Sequence, residues 1–151
     1  MKTRIYLDTS VFGAICDVGL EERLVATRHV LDGLIGARWE GFISTLVLEE
    51  IVRKRIAQEL CRSGVVVLEE SEESLALARL YVTSGAIPPA AEDDARHLAV
   101  ATVNGLHTVL SWNFRHMVNF ERRRRINAIN LREGFVLLDT VSPWEIADEE
   151  A

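Results

Sequence analysis

Short apolar runs alternate with longer helical stretches along nearly the whole chain, and the short runs are continuous in character. Arg4–Leu7, Gly41–Ile43, Val65–Leu68, Thr108–Leu110 and Val136–Leu138 read as strands. A strand with one wet face alternates polar and apolar residues; a strand buried on both faces does not. Helices are expected over Val11–Cys16, Glu21–Ile35, from a Ser44 cap to about Leu60, from a Ser71 cap to Ser84, over Ala91–Asn104 and over Glu121–Arg132. Ser142-Pro143-Trp144-Glu145 starts a last short helix, with proline at its first turn. Strand–helix alternation of this kind predicts an α/β fold of three layers, a central and mainly parallel sheet with helices on both faces. At 151 residues the chain fits one domain, 1–151.

Local punctuation supports these boundaries. Ser10, Ser44 and Ser71 sit where N-caps are needed. Gly36, Gly85, Gly105 and Gly134 sit where helices should stop. On the helix over Glu21–Ile35, the residues Leu24, Val30, Leu31 and Leu34 are expected to face inward.

Charge narrows the function. The net charge of −6 argues against a nucleic-acid binder held by a broad positive field, but leaves room for an acidic centre beside a local basic patch. Acidic runs at Glu69–Glu73 and Asp148–Glu150 are expected to be solvated, and bases gather at Arg53–Arg55 and Arg122–Arg125. Cys16 and Cys61 form no CxxC pair, so they read as reduced thiols and the expected location is cytoplasmic. No apolar run approaches the roughly 18 residues of a membrane span, and Asp8 interrupts any apolar leader, so neither membrane nor signal segment is expected.

Four polar signals stand at the ends of apolar segments. Asp8 closes the first strand, Glu49-Glu50 lies in Ser44–Ile51, Asp94 lies near the start of its helix, and Asn113 follows the strand at Thr108–Leu110. In parallel α/β sheets, sites form beyond the carboxyl ends of the strands, so these segments converge on one edge. Two carboxylates ~4 Å apart repel by ~4 kcal/mol at an effective dielectric of ~20. Such groups raise one another's pKa values or take up a cation. All-oxygen ligands select Mg²⁺ or Mn²⁺ over zinc. No zinc spacing, phosphate loop or nucleophile elbow is present. The chemistry indicated is metal-dependent attack on a phosphodiester.

Each residue also has a plainer reading. Asp8 could cap the following helix. Glu50 could pair with Arg53 or Lys54, and periodicity does not separate it from Glu49. Asp94 could be a dipole-favoured acid, a role that suits Asp93 better, while Glu92 can reach Arg96. Asn113 could hold an Asx turn. Thr9 and Ser10 are caps or partners of Asp8, and Ser111 is a strand-end hydroxyl or a support for the site. His97 and His116 read as packing or hydrogen-bonding residues. Arg115 is a candidate for phosphate contact, as are Arg122–Arg125, for which a solvated helix face fits as well. Trp39, Trp112 and Trp144 read as packing residues, with base stacking the alternative for Trp112.

Taken together, the motifs resemble those of a PIN-domain ribonuclease, most closely a VapC-like toxin of a toxin–antitoxin pair. Tyr6-Leu7-Asp8-Thr9-Ser10 looks like the opening motif, and Ser44–Ile51 like the second, where the alignment selects Glu50. Asp94-Ala95-Arg96-His97-Leu98-Ala99 is similar to the third motif, and Leu110–His116 to the fourth, in a Trp-Asn variant. The resemblance implies a PIN-like fold and Mg²⁺- or Mn²⁺-dependent endonucleolytic cleavage of RNA. It implies Asp8, Glu50 and Asp94 as metal ligands and Asn113 as a fourth catalytic residue placing a water or phosphate. It also implies a homodimer and inhibition by a small antitoxin protein. Asparagine at 113, where an acid is usual, leaves a formal charge of −3 and favours one ion over two. It also raises the alternative of a non-catalytic RNA- or protein-binding module.

Overall fold

The computed structural model describes residues 2–16, 21–50 and 64–148. Five strands form one sheet: β1 (Thr3–Leu7), β2 (Trp39–Ser44), β3 (Val66–Leu68), β4 (Thr108–Leu110) and β5 (Asp139–Val141). Their spatial order is β3-β2-β1-β4-β5, and every neighbouring pair is parallel. The helices among the described residues are α1 (Thr9–Cys16), α2 (Glu21–Ile35), α3 (Thr45–Glu50), α4 (Glu72–Thr83), α5 (Glu92–Val103), α6 (Phe120–Arg132) and α7 (Pro143–Asp148). The α/β class read from the alternation is therefore the observed one. None of the described helices is long and apolar enough to cross a membrane. The expected helix to Leu60 is described only as far as Glu50. Its remainder, with Arg53, Lys54 and Arg55, and Cys61 beyond it, lies outside the described residues.

The order of the strands locates the crevice. From β1 the chain steps to β2 and β3 on one side, then returns to β4 on the other side of β1 and continues to β5. Right-handed crossovers consequently put α1, α2 and α3 on one face and α4, α5 and α6 on the other. Ile5, Tyr6, Leu7, Ile43, Val109 and Leu110 are buried between the two helical layers. The winding reverses between β1 and β4, which opens a crevice at their carboxyl ends. Asp8 and Ser111 are the residues that follow those two strands.

Three details differ from expectation. The last strand is Asp139–Val141 instead of Val136–Leu138. The Asn127 side chain takes both the N–H and the carbonyl of Leu138, at 2.8 Å each, so the apolar run meets a helix side chain and pairing starts at Asp139 N, bonded to His107 O at 2.7 Å. Ser10 does not cap α1, which starts at Thr9; the preceding Asp8 accepts from Val11 N through its carbonyl. Ser44 ends β2, and its hydroxyl bonds Tyr6 Oη instead of the helix. Gly36 follows the last residue of α2, as expected, and the left-handed conformation beyond it is taken by Ala37 at φ 56°. Ser71 does cap α4: its hydroxyl accepts from Ser74 N at 3.0 Å while the Ser74 hydroxyl accepts from Ser71 N at 2.9 Å.

Candidate functional site

Asp8 is held from three directions. Its backbone N–H bonds Leu110 O at 3.0 Å, tying the end of β1 to the end of β4. Its side chain is 4% exposed. Oδ2 accepts from Ser10 Oγ at 2.7 Å, Ser111 Oγ at 2.9 Å and Ser10 N at 3.3 Å. Oδ1 faces His97 Nε2 at 3.6 Å. Capping α1 and standing in the crevice are thus simultaneous roles of one residue, since the cap uses the carbonyl and one carboxylate oxygen.

Glu50 enters from the end of α3. Glu49 is exposed, whereas Glu50 is partly buried and accepts hydrogen bonds from Thr9 Oγ1 and from His97 Nε2, the latter at 3.1 Å. Burial works against the Glu50 carboxylate. The bonds from His97 and Thr9 outweigh it and hold the group below the ordinary carboxylate range. His97 is 1% exposed, and burial alone would push its pKa down. The Glu50 hydrogen bond and the charges of Asp8 and Glu50 reverse that and raise it. Behind His97, Tyr6 Oη lies 2.7 Å from Nδ1 and 2.8 Å from Ser44 Oγ. Burial drives the Tyr6 pKa well up, so the phenol keeps its proton. In the neutral imidazole a Tyr6 hydroxyl donating to Nδ1 leaves the ring proton on Nε2, between the two carboxylates; in the imidazolium Nδ1 donates to Tyr6 Oη instead.

Asp94 stands in the first turn of α5, partly buried, while Glu92 and Asp93 on the same turn are exposed. Its Oδ2 accepts from Asn113 Nδ2 at 3.0 Å and lies 3.1 Å from His116 Nδ1. Burial, then the charge of Asp8, raise the Asp94 pKa despite those bonds. Asp8 and Asp94 therefore sense one another across the crevice. Asn113 is both a turn residue and a site residue: Oδ1 accepts from His116 N at 3.0 Å, Nδ2 serves Asp94, and its backbone N–H bonds Ser111 Oγ at 2.9 Å. An aspartate at 113 would set a like charge against Asp94; the amide supplies a donor.

The carboxylates line one crevice without forming a ready cage. Among the described residues, no three or more His, Cys, Asp or Glu side chains form a group that could hold a metal ion. His97 occupies the space between Asp8 Oδ1 and Glu50 Oε2, so a cation there would compete with the imidazole. The donor chemistry still suits a hard cation, because Mg²⁺ keeps several waters and takes only one or two carboxylates directly.

The two histidines and Tyr6 are the site residues that sequence reasoning passed over as contributors. The available signal was spacing: His97 is one helical turn after Asp94, and His116 is three residues after Asn113. Arg96 was expected to meet Glu92, but it forks onto Glu70 at 2.8 and 2.5 Å and also pairs with Asp93. Glu70 is accordingly not a solvated member of its acidic run. Arg122 and Arg125 bond the carbonyls of Ala86 and Gly85, Arg123 bonds Thr140 O and Asp139, and Arg124 pairs with Glu121. Arg115 is exposed and has no ion-pair partner among the described residues. Trp112 is a packing residue, buried with its Nε1 bonded to Thr27 Oγ1 at 3.0 Å. No protein-family model matches the chain, and comparison with curated proteins found no match.

Proposed function

We propose that the protein is a metal-dependent endoribonuclease that hydrolyses RNA phosphodiester bonds in the crevice beyond β1 and β4. The observation that carries this reading is the linkage of three acids at the switch in strand order: Ser111 bonds both the Asp8 carboxylate and the Asn113 backbone, Asn113 bonds Asp94, and His97 lies between Asp8 and Glu50. A structural acid pair would have acquired a permanent cationic partner. Here the close partners are histidines, a tyrosine-backed network and an amide.

On this reading Asp8, Glu50 and Asp94 hold Mg²⁺ or Mn²⁺. The ion would supply an activated water and relief of developing negative charge at the phosphate. Ser10 and Ser111 fix the Asp8 carboxylate so that Oδ1 is the oxygen left toward the crevice. His97 Nε2 holds a proton between Glu50 and Asp8, and Asn113 orients Asp94. The motif resemblance extends the proposal to a cytoplasmic toxin that is a homodimer and is inhibited by a small antitoxin.

The test is RNA cleavage by purified protein with Mg²⁺ or Mn²⁺. EDTA and Asp8→Asn should each stop it. Equal cutting by wild type and Asp94→Asn would sink the proposal. A second reading, a non-catalytic RNA- or protein-binding module, is favoured by one arrangement: His97 fills the space a cation would take between Asp8 and Glu50. Calorimetric titration with Mn²⁺ separates the two, since the module would show no uptake.

A further inference from the structure

Beside the crevice lies a cluster of rings whose chemistry the acidic centre does not use. Trp112 packs edge-on against Trp144 at 4.8 Å between centroids, and Trp144 stacks with Phe114 at 5.9 Å and 29°. The Arg23 guanidinium sits over all three, 5.2 Å from Trp112 and 5.8 Å from Phe114 and from Trp144. Trp112 is buried, but Phe114 is 39% and Trp144 37% exposed. Phe114 directly follows Asn113, whose amide holds Asp94, and Trp112 N bonds the same Ser10 hydroxyl that fixes Asp8. The rings are therefore tied to the same turn that carries Ser111 and Asn113.

The arginines differ in their partners. Arg4, Arg96, Arg123, Arg124 and Arg132 each pair with a carboxylate. Arg23, over the Phe114 ring, and Arg115, next to Phe114 in sequence, have no carboxylate partner among the described residues, as is also the case for Arg28, Arg79, Arg122 and Arg125. In a chain of net charge −6, two unneutralised guanidiniums beside exposed rings favour an anionic, planar ligand.

We propose that Phe114 and Trp144, with Arg23 and Arg115, form a base-stacking subsite for single-stranded RNA next to the acidic crevice, a specificity element that rests on the ribonuclease reading. A base of a single strand is free to extend the ring stack at Phe114, and the adjoining phosphates meet the guanidiniums. In a duplex, the bases are stacked on one another and cannot reach the ring, so duplex RNA is excluded.

The test is fluorescence anisotropy of a labelled RNA octamer, single-stranded or annealed, with the full-length protein in EDTA. The single strand should bind more tightly than the duplex. Phe114→Leu keeps an apolar side chain at a partly exposed position, so the protein should stay folded with a melting temperature lowered by about 1–6 °C for the lost ring contacts, while single-strand binding weakens about 5- to 150-fold. Phe114→Tyr should restore it, and Arg115→Gln should lower the slope of log affinity against log salt by about 0.7. Equal affinity of wild type and Phe114→Leu, preference for the duplex, or no binding of either form overturns the subsite and leaves the rings as a clasp between α2 and α7. Metal-dependent cutting in the same preparations is scored separately. Ring-dependent binding without cutting sinks the nuclease reading alone, and cutting with ring-independent binding sinks the subsite alone.

Discussion

Two tyrosines are buried in this protein, each at the centre of a polar network, and the networks end differently. Tyr81, on α4, bonds Asn130 Oδ1 at 2.5 Å and Thr102 Oγ1 at 3.2 Å; Thr102 in turn bonds Leu98 O at 2.8 Å. Every group in that network is neutral, and it closes on the backbone. Burial pushes the Tyr81 pKa up to about 12, with no charge contributing. Tyr6 begins a chain through His97 to Glu50 and Asp8, and those two charges add to burial in raising its pKa. A neutral, satisfied network joins α4, α5 and α6 and asks for nothing more. A network ending in carboxylates at the mouth of a crevice is one that, on the proposed reading, a cation would complete. The first is a strut between helices; the second is the site proposed to take the ion.

The difference can be broken by substitution. Asp8→Asn or Asp94→Asn should reduce metal-dependent cleavage more than about 100-fold, since loss of an outer partner alone costs about 10- to 100-fold at metal sites. The same Asp94→Asn change removes a charge that repels Asp8, so the metal-free protein should melt at a higher temperature. A variant both less active and less stable would count against the electrostatic account. Next in size, Tyr6→Phe should lower kcat/KM by about 10- to 100-fold, because His97 loses its anchor. Tyr81→Phe should leave cleavage unchanged. Both should lose about 1–3 kcal/mol of stability, by leaving a buried acceptor unpaired. In a domain of this size that is about 2–4 °C of melting temperature for each kcal/mol. If Tyr81→Phe also lost activity, the two networks would not be separable.

Metal should sharpen the contrast further. Mn²⁺ at about 100 times its Kd should stabilise the wild type by about 2.7 kcal/mol. Tyr81→Phe should show the same gain from its lower starting point, while Asp8→Asn should show little. A thermal shift series in increasing Mn²⁺ measures this, and an equal rise in Asp8→Asn would place the ion elsewhere.

Much of this contrast was visible before folding, and the invisible part has an identifiable cause. Four of the five parallel strands were legible because burial on both faces removes the polar alternation. The convergence of Asp8, Asp94 and Asn113 was legible because strand ends and helix starts share an edge in such folds. Glu50 could not be separated from Glu49 by period, since the helix carries apolar residues all round; the pairing with Thr9 and His97 comes from segments 41 and 47 residues away in sequence. The late start of β5 was hidden for the same reason. Val136-Leu137-Leu138 has strand composition, but Asn127 on α6 captures Leu138 before β4 does. Long-range hydrogen bonds that override a local pattern leave no local trace.

The smallest effect concerns pH, in the metal-free protein. His97 faces Tyr6 and Asp8 from β1 and its end, Thr9 from α1 and Glu50 from α3, and feels the charge of Asp94 on its own helix. Its folded pKa is raised above the ordinary histidine value: burial opposes the charge, but the Glu50 bond and the acids outweigh it. A raised pKa means that the folded state holds the proton more tightly than the unfolded chain does. The resulting stability is complete below the unfolded pKa, near 6.5, and is lost as pH rises through the folded value. Glu50 titrates below its ordinary range and contributes the opposite dependence only in acid, so the two windows do not overlap. Melting curves in EDTA from pH 6 upward should therefore fall in the wild type and flatten in His97→Gln, while Tyr81→Phe keeps the wild-type slope. Saturating Mn²⁺ should abolish the slope, because a cation on Asp8 and Glu50 removes the reason for His97 to hold its proton. A slope that survived both the substitution and the metal would assign the titration to another group and detach His97 from the acidic centre.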